Sequence, residues 1–291
     1  MKYFYALKSL PQAMRPSARD SEIHSFSVEL DNSERRRSEW LRLLQSPENL
    51  SETDILKWLG ESQQSGDLDE AFWRAFLAVH FGRPSANAKK DKEIESAGQL
   101  LCGFGTTPVW TWCRISEDPA TFRDWFLTHQ DDLAQLRFGN HRKFEAKKAI
   151  KMSEVIDDFV KWVYQFGCTP CAAFVVEDSD TPERKFNALF NRLKVKRFGR
   201  TGRFDMLCLL GDMGLLPIKP GSCYLEGSTG PLHGAKNLWG ELPPDHLTRL
   251  ADEAARHIGI SMEVFEDALC NWQKSGTDKK SKGTIPCTSF C

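Results

Sequence analysis

The stretch Val195-Lys196-Arg197-Phe198-Gly199-Arg200-Thr201-Gly202-Arg203-Phe204-Asp205 decides how the chain is read. Two glycines three residues apart sit in a basic run, and an apolar series follows at once in Phe204, Met206, Leu207, Leu209 and Leu210. That is the pattern of a short hairpin feeding a helix N-terminus. Glycine supplies the positive φ such a turn needs and lets the backbone come close to a ligand. The N–H groups of the first helical turn then face an anion, most simply a phosphate. A hairpin over Phe198–Arg203 is therefore expected to act as an anion anchor.

Outward from this point the signals are almost all helical. Pro182 opens a helix running to Leu193 that packs Phe186, Leu189 and Phe190. Beyond the loop 217–231, amphipathic helices are predicted at Pro244–Ile258 and Ser261–Gln273. Upstream, helices are predicted at Ala120–His129, Asp131–Leu136 and Met152–Phe166, and over Asp67–Phe81, which Gly82 and Pro84 end. Ser33 is expected to cap a helix through Ser46, and Ser51 to Asp54 has the spacing of a capping box. Only Ala172–Val176 carries a strand signal. The expected fold class is all-α. The expected division is an irregular arm at 1–32, a terminal helical lobe from 33–96 with 232–273, a central helical lobe at 97–231, and a disordered tail at 274–291.

At 291 residues the chain can bury a real core, and its composition is that of an ordinary globular protein. No apolar run reaches the roughly 20 residues a bilayer span needs, and the N-terminus lacks a signal-peptide core, so a cytoplasmic location is expected. The net charge of −1 hides two basic strips. Residues 137–151 carry six cations against Glu145 alone, and residues 192–203 carry six with no acid. An acidic body with two concentrated cationic strips suits a localised polyanion site; two solvated helix faces are the plainer reading. Nine cysteines without a secretion signal argue for free thiols. Cys168-Thr169-Pro170-Cys171 has the spacing of half a zinc or redox site, but the second pair is lacking. No metal and no cofactor is expected.

Two segments could carry chemistry. Arg137-Phe138-Gly139-Asn140-His141-Arg142-Lys143-Phe144-Glu145 mixes cations, an amide, an imidazole and two aromatics. Cations grip phosphates, while Asn, His and Phe can contact a base or fill the gap a flipped base leaves. A helix start capped by Asn140 explains the same residues equally well. The second segment is the Gly-, Pro- and Ser-dense loop 217–231, whose only carboxylate is Glu226. A lone Glu in a loop is ordinarily a surface residue.

The order helix, Gly-x-x-Gly hairpin, apolar helix, Leu215-Leu216-Pro217 and loop resembles the helix-hairpin-helix DNA glycosylase superfamily. Four stretches resemble more closely its branch of alpha-glutamyl/putrescinyl thymine pyrophosphorylases, third clade. They are Phe72–Phe76 with Phe81-Gly82-Arg83, Phe138–Glu145, Gly211–Leu216, and Tyr224–Pro231 with Gly234-Ala235.

The resemblance implies a two-lobed helical fold with a cleft, and double-stranded DNA with a modified base as the partner of a monomer. Gly199, Arg200, Thr201 and Gly202, flanked by Arg197 and Arg203, would clamp a backbone phosphate. Asn140, His141 and Arg142 would be the wedge or the flipped-strand contact, with Lys143 a further DNA-binding residue beside them. Two departures from the superfamily pattern matter. Its nucleophilic lysine stands two residues after the hairpin's last glycine, where this chain has Phe204, so a reaction through water is implied. Its catalytic Asp stands five residues after the proline, where this chain has Ser222. The acid would then be Glu226, with Asp205 and Asp212 behind it. The expected activity is a monofunctional DNA N-glycosylase excising a bulky phage-type base and leaving an abasic site in anti-phage defence. The alternatives are hypermodification of an activated thymine, as the branch's name states, and DNA binding without catalysis.

Overall fold

The computed structural model describes residues 2–50, 52, 54–81, 109–131, 149–176 and 181–275, and all structural statements below concern these. They are helical without a strand. In chain order the helices are α1 (Lys2–Lys8), α2 (Asp20–Gln45), α3 (Ile55–Gln64), α4 (Leu68–Phe81), α5 (Trp112–Glu117), α6 (Pro119–Thr128) and α7 (Ala149–Phe166). There follow α8 (Pro170–Ala173), α9 (Pro182–Arg192), α10 (Arg200–Asp212), α11 (Gly230–Trp239), α12 (Pro244–Ile258) and α13 (Met262–Ser275). The chain divides into two compact units, one of residues 1–42 with 219–290 and one of residues 43–218.

The first unit joins the two ends of the sequence. Residues 1–32, read as an irregular arm, are instead largely helix, and Tyr3, Leu7, Leu10, Ile23, Phe26 and Leu30 are core residues. Ile23, Phe26 and Leu30 fall at helical spacing, but polar residues between them blur the pattern, and their burial comes from the distant C-terminal helices. Phe26 packs on Phe265 and Trp272, and Trp239 donates from its indole to the Met14 carbonyl at 2.8 Å. Ser33, expected as a helix cap, lies within α2 and is fully buried. Its hydroxyl donates to Asp267 at 2.6 Å, and Arg36 donates to the same carboxylate at 2.5 Å. Helix α11 packs tightly on α13, where a Cβ on Gly234 would stand 2.3 Å from the Leu269 carbonyl oxygen.

The second unit is built around α4. From Glu70 to Phe81 every residue except Arg74 is buried, so the helix is enclosed on all sides. Phe76 stacks on Phe159 of α7 with ring centroids 4.0 Å apart, and Trp73 donates to the Trp110 carbonyl at 2.7 Å. Ala172–Val176, read as a strand, begins inside α8 instead, because Thr169 caps a helix that Pro170 opens.

Candidate nucleic-acid interface

The connection between α9 and α10 begins where Trp162 of α7 donates its indole N–H to the Arg192 carbonyl at 2.9 Å. Leu193, Val195 and Phe198 are buried. Phe198 lies 5.2 Å from Phe76 and 6.3 Å from His80, ring centre to ring centre, so the aromatic core of α4 fixes the turn. The Phe198 N–H closes the turn on the Val195 carbonyl at 3.0 Å.

This geometry shifts the turn from where the glycines suggested. The positive φ belongs to Arg197, at 60°. Gly199 has φ −70° and is the N-cap of α10, while Arg200, Thr201, Gly202 and Arg203 form the helix's first turn. The turn therefore spans Val195–Phe198, and the glycines do other work. Gly199 is exposed, makes no side-chain cap, and a Cβ there would meet nothing within 4 Å. The first intrahelical bond runs from the Arg203 N–H to the Gly199 carbonyl at 3.1 Å, so the amides of Thr201 and Gly202 have no acceptor within the helix. Counted from Gly199, the second residue on is Thr201, again not a lysine. Phe204 is a core residue, edge-on to Phe186.

The cations of this strip are largely committed to the protein. Arg192 donates to the carbonyls of Ala173 and Val175 at 2.6 and 2.8 Å. Arg203 donates to the Phe190 carbonyl at 2.9 Å and covers that residue's ring. Burial pushes the pKa of Arg192 and of Arg203 down. Arg200 is only 5% exposed, with its guanidinium 4.5 Å over the Phe204 ring. Lys196 and Arg197 share Glu154 of α7, at 3.4 and 3.5 Å, and the Lys196 N–H donates to Asp158 at 2.6 Å. Glu154 and Asp158 stand four apart on α7, a spacing visible in the sequence whose partner was not.

Asp205 and Asp212 lie on α10, seven residues apart and hence on nearly the same side, both half-buried. Glu226 belongs to the other unit and is exposed, just before Gly227 with its φ of 75°. The carboxylate that organises this loop is one the sequence did not single out. Asp252 of α12 is 8% exposed, accepts from the Cys223 N–H at 2.7 Å, and is also bonded by the Ser222 side chain. Burial raises its pKa despite these bonds. Arg256, one turn on, donates to the Gly221 carbonyl at 3.0 Å. Asn140, His141, Arg142 and Lys143 lie outside the described residues. In the Cys-Thr-Pro-Cys segment, Cys168 is exposed with φ 67° and the Cys171 N–H donates to Asp69 at 2.7 Å. Among the described residues no His, Cys, Asp or Glu cluster could hold a metal, and no helix is long and apolar enough to cross a membrane.

Comparison with curated proteins and with solved structures returns no match. The profile of one family, described as alpha-glutamyl/putrescinyl thymine pyrophosphorylase clade 3, matches residues 22–282. That match overturns the expected N-glycosylase: the family's chemistry transfers a group onto thymine and does not hydrolyse the bond between base and sugar. Spanning most of the sequence, it shows that the chain belongs to the clade 3 family of alpha-glutamyl/putrescinyl thymine pyrophosphorylases.

Proposed function

We propose that the protein modifies thymine in DNA, displacing pyrophosphate from an activated thymine with an amine nucleophile and leaving the altered base attached to its sugar. The family match over residues 22–282 carries this proposal. In such a substitution the amine nitrogen bonds to the activated carbon as the carbon–oxygen bond to pyrophosphate breaks. The leaving group keeps the electron pair, and the amine's proton passes to a base. Asp205, Asp212 and Glu226 are the candidate carboxylates for that proton. The N-terminus of α10, with exposed Gly199 and half-buried Thr201 presenting backbone and Arg197 beside them, is suited to hold a DNA phosphate, whereas Gly202 is buried in that turn. Arg200 and Arg203 take a supporting part, since both are packed into the protein. Asn140, His141, Arg142 and Lys143 supply strand contacts.

The test is mass spectrometry of DNA carrying a pyrophosphate-activated thymine, incubated with the protein and either putrescine or glutamate. Release of pyrophosphate with a heavier base still in the strand is the expected result. Intact substrate with both amines overturns the proposal. Glu226→Gln, Asp205→Asn and Asp212→Asn, assayed separately, locate the proton acceptor as the variant that loses turnover while retaining DNA binding.

A further inference from the structure

Lys196 and Arg197 are the two cations of the α9–α10 connection nearest the open helix end, and one carboxylate answers both. The same Glu154 oxygen lies 3.4 Å from the Lys196 ammonium and 3.5 Å from the Arg197 Nε. The Lys196 ammonium, and to a lesser degree Arg197, holds the Glu154 carboxyl below its ordinary pKa. Asp158 takes the Lys196 backbone N–H on the same side. Two α7 carboxylates therefore meet this turn, Glu154 at the two cationic side chains and Asp158 at the backbone. Glu154 is partly exposed, with 39% of its side chain accessible, so it shapes the field at the surface rather than supporting the core. A phosphate arriving at the first turn of α10 meets cations already answered by a carboxylate.

We propose that Glu154 is a built-in competitor for the phosphate, occupying Lys196 and Arg197 in the free protein and yielding them to the polyanion on binding. The proposal rests on the DNA-binding reading above. Its effect is to hold down affinity for DNA in general, so that retention depends on contacts to the modified base as well as to the backbone. Loss of the competitor strengthens the sequence-independent, salt-sensitive part of binding. Glu154→Gln keeps the shape and removes the charge.

The experiment measures affinity for plain and activated-thymine duplexes across a salt series, for wild type, Glu154→Gln, Glu154→Gln with Lys196→Ala and Arg197→Ala, and Glu253→Gln. The last removes one exposed carboxylate from α12 and reports the general effect of net charge. Glu154→Gln is expected to bind plain duplex at least threefold more tightly than Glu253→Gln at low salt. Its log-affinity against log-salt slope should stay close to that of wild type, since the same two cations reach the phosphates in both complexes. The gain should vanish when Lys196 and Arg197 are also removed. DNA binding by wild type with Glu154→Gln no tighter than Glu253→Gln overturns the competitor while leaving the DNA reading intact. A gain that survives loss of both cations overturns it equally. Absence of binding by every variant to either duplex overturns the DNA reading and the competitor with it.

Discussion

Arg197 holds a conformation that L side chains disfavour, φ 60°, in a turn closed by Phe198 and fixed by the aromatic core. The left-handed region costs about 1–2 kcal/mol per residue. Arg197→Gly relieves that cost but loses about 0.5–1 kcal/mol through the freer unfolded chain, so its stability should match wild type to within about 1 kcal/mol. Arg197→Val places a β-branched residue where it is an outlier and should lower stability by about 1–2 kcal/mol. Denaturant midpoints at constant m-value measure both; equal loss in the two variants would show that the side chain, not the backbone, sets the energy. Asp252 is the second residue with a physical signature. Burial raises its pKa, so the folded protein holds that proton more tightly than the unfolded chain. Stability from this group is full below the ordinary aspartate range and declines as pH rises from there through the raised value. Asp252→Asn keeps an acceptor for the Cys223 N–H and should flatten that part of the pH–stability curve; an unchanged slope would place the effect on another group. Neither residue stands out in the sequence. Arg197 sits two residues before a glycine that looked better suited to the turn, and Asp252 is one of several carboxylates on an amphipathic helix.

Helices and the turns between them were legible to different degrees, and the difference is physical. Helix α9 announces itself through Pro182 and its apolar spacing, and α12 through Leu247, Leu250, Ala251 and Ala254 with Gly259 at its end. Local periodicity and caps suffice there. The basic run 192–203 was legible as positive charge but not as Arg192 and Arg203 folded against carbonyls, because those contacts lie in α8 and α9, 19 and 13 residues away. Glycines show the same divide. Gly199 and Gly234 look alike in the sequence, yet one faces open space and the other a carbonyl at 2.3 Å. Gly234→Ala should destabilise by about 1–3 kcal/mol through overpacking of α11 on α13. Gly199→Ala adds an unfavoured N-cap residue but stiffens the unfolded chain, and these offset to within about 1 kcal/mol. Thermal denaturation of the two variants gives the comparison, and equal losses would contradict the packing difference. DNA affinity should order them oppositely: the methyl at 199 obstructs a phosphate at the α10 amides, whereas the one at 234 lies in the other unit.

On the scale of the molecule, the chain crosses between its two units at residues 42–43 and 218–219, so the first unit needs both ends of the sequence. The Arg36–Asp267 pair shows this dependence, as does the contact of Ser17 and Ala18 with the Leu238 carbonyl at 3.0 and 3.1 Å. Such long-range pairing has no periodic trace, which is why residues 1–32 read as an arm. Tyr3, Leu7 and Leu10 have no exposed surface and are buried with α12 and α13 in one cluster. Burying large apolar side chains contributes about 1.5–3 kcal/mol each, so three together approach the 5–15 kcal/mol that typically holds a domain folded. Replacing all three with alanine should therefore unfold the first unit at 37 °C. The second unit, with its core around Phe76 and Phe159, contains none of the three. Hydrogen exchange read by mass spectrometry resolves this: protection should collapse across α1, α2 and 219–275 while α4 and α7 keep theirs. Loss of protection in α4 and α7 at the same rate would mean that the two units unfold as one, and the division drawn from their contacts would not be a division in stability.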